Sequence, residues 1–139
     1  MIMDWKNRRR LLGINVLLFA VLYLLVAFNK DYLRPAFGHI QFMGVLTGSL
    51  PNFLAAFLIS LGAVNGVLSR RPERGRLLVY LGACAVFLVL AVEELRPMWG
   101  ASSVYDLFDI LASALGSVTA ILVFELIARH QKEKESGVG

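Results

Sequence analysis

The feature that most constrains this chain is a set of four long apolar stretches: Leu11–Phe28, Pro51–Leu68, Leu77–Glu94 and Asp106–Ala128. A helix that crosses the hydrocarbon core of a bilayer needs about 20 mostly apolar residues, and each stretch is of that order. Lipid offers no partner to an open backbone, so spanning segments are helices or closed barrels. Uninterrupted apolar runs of this length point to helices. Four of them use more than half of the 139 residues and leave no room for a water-soluble domain of ordinary size. Composition agrees. The chain is 58% hydrophobic and 17% charged, against about 25% charged in an average soluble domain. An ordinary soluble enzyme, a disordered tail and a nucleic-acid-binding domain are excluded on this ground. The expected fold is all-α, an integral membrane four-helix bundle forming a single transmembrane domain over residues 1–139.

Charge placement orients the bundle. Cytoplasmic loops of membrane proteins concentrate Lys and Arg. With the N-terminus inside, eleven of the 14 basic residues fall on the inner side: Lys6, Arg8, Arg9, Arg10, Arg70, Arg71, Arg74, Arg76, Arg129, Lys132 and Lys134. Only Lys30, Arg34 and Arg96 fall outside. Both termini are therefore expected in the cytoplasm, with the basic residues touching anionic lipid. The first stretch is longer than the apolar core of a cleaved leader and lacks a small-residue cleavage site, so it is expected to be retained. Cys84 is the only cysteine. It can form no internal disulfide, and it is expected to act as a small packing residue.

The chain repeats itself. Leu33-Arg34-Pro35-Ala36-Phe37-Gly38 is echoed by Leu95-Arg96-Pro97-Met98-Trp99-Gly100, an offset of 62 residues from 33 to 95. The following stretches align at an offset of 54, pairing Ser49 with Ser103, Asn52 with Asp106, Leu61 with Leu115 and Gly62 with Gly116. Two tandem two-helix units result, about 11–68 and 77–128, with 129–139 as a disordered polar tail. Units of equal orientation imply a pseudo-twofold axis along the membrane normal. In the six-residue motif, proline ends a helix and glycine permits a tight turn, so it reads as a helix-exit turn at the outer interface. Ser103 and Asp106 resemble a capping box. Pro51 suits the first turn of the second spanning helix. The additional segment His39–Leu50 is expected to lie in the interface or to extend that helix.

Helices in lipid approach through small residues. Gly62 and Gly66 in the second span, and Ala112, Gly116 and Ala120 in the fourth, recur every four residues. These two helices are expected to meet, leaving the bulkier first helix to face lipid. Asn15 and Asn65 lie at membrane depth and are expected to bond between helices. Glu125 stands one turn before Arg129 and suggests an i, i+4 pair.

Ionisable residues at membrane depth are costly and mark functional sites. They gather at the outer level. Glu93 and Glu94 close the third span; Asp106, Asp109 and Ser113 open the fourth on one face; Asn52 is the repeat partner of Asp106; Arg34 and Arg96 sit in the two turns. One reading is structural, with the arginines pairing to Glu94, Asp106 or Asp109 and pinning the turns. The other is a ligand-binding pocket shared by both arginines. It would hold a phosphate or carboxylate through bidentate bonds, or a cation or donor-rich headgroup on the carboxylates.

The run Asp106-x-x-Asp109-x-x-x-Ser113-x-x-Gly116, preceded by a helix ending at Glu94, resembles the closing motif of the VanZ-like family of small bacterial membrane proteins. That motif reads D-x-x-D-x-x-x-N-x-x-G. The likeness covers about residues 93–120. The chain departs from it at Ser103, where the family has Arg, and at Ser113, where it has Asn. The resemblance implies an envelope role in the bacterial cytoplasmic (inner) membrane, associated in the founding members with glycopeptide-antibiotic tolerance. No Ser/His or Cys/His constellation and no metal-ligand spacing is present, and no cofactor is implied. The expected function is a non-enzymatic multi-pass protein that binds an anionic or lipid-linked headgroup, or scaffolds an envelope partner, at the outer cluster. An oligomeric small-solute transporter and an accessory subunit of a larger membrane complex are the alternatives. Little polar lining is expected below Ser113, which counts against the transporter, and an enzyme using Asp106 and Asp109 as paired carboxylates is the weakest reading, because no nucleophile–base constellation or metal cluster accompanies them.

Overall fold

The computed structural model describes residues 5–70, 73–96 and 106–137. All the regular structure among them is helical: α1 (Trp5–Phe28), a π-helical turn (Asn29–Leu33), α2 (Arg34–Phe37), α3 (Gln41–Arg70), α4 (Gly75–Leu95) and α5 (Leu107–Ser136). Four helices are long and apolar enough to cross a membrane, one for each predicted stretch.

Cross-helix contacts show the arrangement. Asn65 Nδ2 donates to Asn15 Oδ1 over 3.2 Å, and Asn29 reaches Thr47, so α1 and α3 run antiparallel. Glu94 meets Asp106 and Arg76 meets Glu125, so α4 and α5 also run antiparallel. Val64 packs with Phe124, and Gly116 lies against Phe53 and Ala56, so α3 and α5 are parallel. The start of α1, the α3–α4 turn and the end of α5 therefore share one end of the bundle, the terminal end. The π turn, α2 and the start of α5 share the other, the distal end.

α3 is the centre, packed against α1, α4 and α5. The α3–α5 seam is the most extensive interface, as the small-residue spacing predicts. Its residues differ from the predicted set. Ala112, Gly116 and Ala120 are buried on α5. A Cβ on Gly116 would collide with the Phe53 carbonyl oxygen and stand 2.9 Å from Ala56 Cβ. Gly62, however, faces Asn15 on α1, and a Cβ on Gly66 would meet nothing within 4 Å. The α3 side of the seam is Ala56, Ser60 and Val64, all buried. Among the described elements α1 packs only on α3 and the π turn, leaving most of its Leu, Phe and Tyr side chains exposed as a lipid-facing helix would.

A twofold relation of the two units would require α1 to touch α5 as α4 touches α3. It does not, so the packing does not express the symmetry of the repeat. The second copy of the repeated motif, from Pro97 to Gly100, lies outside the described residues, as does Ser103.

The first copy does not end its helix at proline. Pro35 lacks an N–H, and its ring would crowd the carbonyl four residues back. The chain absorbs this by widening into the π turn, where the Arg34 N–H bonds to Asn29 O instead of one residue later. The helix then continues to Phe37 and turns at Gly38–Ile40, so the exit lies beyond the proline. The segment His39–Leu50 extends the next helix, which starts at Gln41 and places Pro51 inside it rather than in its first turn. The tail is also more ordered than expected, since α5 runs on to Ser136. Cys84 is exposed on α4 rather than packed.

Candidate functional site

Pro51 organises the distal end. In an unbroken helix its N–H would donate to the Thr47 carbonyl. Proline has no such donor, and a buried carbonyl without a partner is costly. Asn29 supplies the missing donor from the π turn. Its Nδ2 bonds to Thr47 O at 2.8 Å, and the residue is 0% exposed. Arg34, five residues on, donates from Nη2 to the neighbouring Gly48 carbonyl at 3.0 Å. The irregular turn forced by one proline thus carries two side chains that bond carbonyls around another. Asn29 was not among the predicted residues. Its signal was the pairing of an Asn ahead of Pro35 with a second helical proline, which becomes legible only once α1 and α3 are known to be antiparallel.

At the start of α5, Asp106 is the N-cap. Its Oδ1 accepts from Phe108 N at 2.9 Å, and its own N–H donates to Glu94 Oε1 at 2.9 Å. The expected capping box would put Asp106 three positions inside the helix; it stands at the cap instead. Glu94 thereby ties the end of α4 to the start of α5. Asp109 is half-buried with Glu94 and Asp106 as electrostatic neighbours, and the Ser49 hydroxyl and Arg34 act on it from α3 and α2. Its Oδ1 is buried without a hydrogen-bond partner, and Ser113 Oγ donates to its backbone carbonyl at 3.0 Å. Asn52 is half-buried on α3.

A cavity of ≈ 490 Å³ opens at this end. Arg34, Gln41, Thr47 and Asp106 line it, together with the glycine backbones at 38, 44 and 48. It does not include Arg96. That residue caps α4 through its backbone N–H, which bonds Val92 O, and its side chain is exposed. The expected pocket shared by two arginines is therefore replaced by one arginine facing one aspartate. Arg34 makes no ion pair among the described residues; its bond is to a backbone carbonyl. Among the described residues no group of His, Cys, Asp and Glu could hold a metal ion.

Below Ser113 the seam is more polar than expected. Ser117 is buried and Ser60 is 1% exposed, and neither hydroxyl has a partner. Asp109, Ser113 and Ser117 follow one α5 face at four-residue spacing, a pattern readable in the sequence once Ser117 is included. At the terminal end, Glu125 is not paired with Arg129. It accepts from Arg76 Nη2 at 3.0 Å and from Tyr80 Oη at 2.8 Å, both across the α4–α5 interface. Comparison with known proteins found no match to this chain, whether among family models, curated proteins or solved structures.

Proposed function

We propose that the chain is a non-enzymatic, VanZ-like, multi-pass protein of a bacterial cytoplasmic membrane, with both termini inside, and that its distal cavity faces outward and binds a lipid-linked or anionic headgroup. The observation that carries this reading is that Arg34 and Asp106 line one cavity together with Gln41 and, among the described residues, make no ion pair. A guanidinium has five N–H donors, and the Gly48 carbonyl occupies one Nη2 donor. Asp106 caps its helix through one carboxylate oxygen and keeps the other. The cavity therefore presents strong donors and a strong acceptor side by side. That chemistry suits a phosphate or carboxylate carried next to an amine or hydroxyl, as in a polar lipid headgroup, better than a bare anion.

Native mass spectrometry of gently purified protein tests this, with phosphatidylethanolamine, phosphatidylglycerol and a polyprenyl phosphate as probes. Wild type and Arg96→Ala should retain one of the three selectively. Gln41→Leu combined with Asp106→Asn should lose it, while Asn keeps the helix cap in place. Equal retention by all three proteins, or none by wild type, would leave Arg34 as a structural staple and overturn the reading.

A further inference from the structure

The terminal end holds a second and larger cavity, of ≈ 650 Å³, which the distal reading does not use. It lies between the end of α3, the start of α4 and the last turns of α5. Its inner wall is apolar, made by Val67, Leu68 and Phe124, which belong to or pack against the buried cluster of Val64, Val79 and Phe124. Its rim is basic, made by Arg74, Arg76 and Lys132, with Glu73 as the one acidic lining residue among the described residues. Arg76 is held in place by Glu125, and the Arg74 and Lys132 side chains are exposed. Arg74 is also the N-cap of α4 but makes no side-chain cap bond.

An apolar wall below a cationic rim, at one end of four membrane-length helices, has the polarity of a single phospholipid. Its phosphate belongs with the guanidinium and ammonium groups, and the first part of its acyl chain belongs on Val67, Leu68 and Phe124. We propose that this cavity is a binding site for an anionic glycerophospholipid of the leaflet at the terminal end. Charge complementarity selects an anionic lipid over a zwitterionic one, because clustered Lys and Arg at a membrane surface attract anionic headgroups. The apolar wall selects a lipid over free phosphate. The site stands independently of the distal cavity and involves none of its residues.

The test is a lipid titration of the detergent-solubilised protein by native mass spectrometry, using phosphatidylglycerol and phosphatidylcholine with identical chains. Phosphatidylglycerol should bind about tenfold more tightly or better. Arg74→Gln with Lys132→Gln should erase that preference. The two side chains are exposed and cap no helix, and an unchanged thermal midpoint would verify the fold. Arg8→Gln with Arg10→Gln, which removes the same charge from α1 at the same end, should keep it. Equal losses in the two double variants would mean diffuse attraction and overturn the site. Binding the two lipids alike would overturn it too. Competition by inorganic phosphate as effective as by phosphatidylglycerol would make it a free-phosphate site and overturn the lipid assignment.

Discussion

The two ends of this bundle use polar side chains in opposite ways. At the distal end they serve the backbone. Asn29 and Arg34 bond carbonyls around Pro51, Glu94 bonds the first N–H of the α5 cap, and Asp106 caps α5. At the terminal end Arg76 and Tyr80 bond side chain to side chain with Glu125 across the α4–α5 interface, and Arg74 and Lys132 rim an open cavity. The cause is proline. Pro35 and Pro51 both leave helical carbonyls without donors within the bundle, and buried carbonyls must be satisfied. The described part of the terminal end has no proline to compensate, and the Arg74 and Lys132 side chains stay exposed on the cavity rim. The distal end is thus a lock with a small opening, and the terminal end is an opening with a small clasp.

The sharpest way to break the bundle lies between the two ends. Gly116→Leu should cause the largest loss, because even a Cβ there meets the Phe53 carbonyl, Ala56 Cβ and Phe57 N. Overpacking of this kind costs about 1–3 kcal/mol and occasionally more. Gly66→Leu, where a Cβ meets nothing within 4 Å, should change the thermal midpoint in detergent far less. Equal effects would mean that the α3–α5 seam does not pass through Gly116.

Next in size is the proline lock itself. Asn29→Leu removes the donor to Thr47 O and should cost about 1–3 kcal/mol by leaving a buried carbonyl unpaired. Pro51→Ala restores the helical N–H that Thr47 O lacks, so the same Asn29→Leu change should cost much less in that background. Measuring the four unfolding midpoints gives the coupling directly. Additive losses would show that Asn29 contributes by packing alone and would remove the contrast between the ends.

These tests also separate what the sequence makes legible from what it does not. The four helices long and apolar enough to cross a membrane, the meeting of the second and fourth, and the pairing of two asparagines between helices follow from length, small-residue spacing and polarity. Asn15 and Asn65 bond to each other. Helix ends were harder to read. Pro35 and Pro51 each signal a boundary, yet both sit inside helical backbone, because a π turn and a donated side chain can compensate for a missing N–H. That compensation depends on a neighbouring helix, which no local pattern encodes. At the distal end Glu94, Asp106 and Asp109 lie near one another, and Ser113 bonds to the Asp109 backbone. Arg96 was placed with Arg34 by the repeat, but tertiary packing followed one unit's chemistry and not the symmetry. Glu125 was assigned its neighbour in sequence, Arg129, although two better donors lie across the interface on α4.

A smaller effect is expected at the α1–α3 contact. Asn15→Leu should cost about 0.6 kcal/mol, the average for a hydrogen bond between membrane helices. Asn65→Leu should cost about the same, and the double variant little more than either alone. Strict additivity in the unfolding midpoints would mean that the 3.2 Å contact between the two amides contributes nothing as a pair.

The smallest effect should come from the clasp at the terminal end, and its size decides how deep the contrast between the ends goes. The Arg76 side chain is 61% exposed and that of Glu125 18%. An exposed ion pair contributes about 0–1 kcal/mol and weakens with salt. Glu125→Gln keeps an acceptor for Tyr80 while removing the charge opposite Arg76, so its cost should fall in that range and shrink as ionic strength rises. Arg129→Ala should cost nothing measurable, since Glu125 bonds to α4 and not along its own helix. Thermal midpoints of both variants at low and high salt check this. A Glu125→Gln loss as large as that of Asn29→Leu, and insensitive to salt, would mean that the terminal end is locked as firmly as the distal one. Arg76 would then be a fixed wall of the basic cavity, and ligand discrimination there would rest on Arg74 and Lys132 alone.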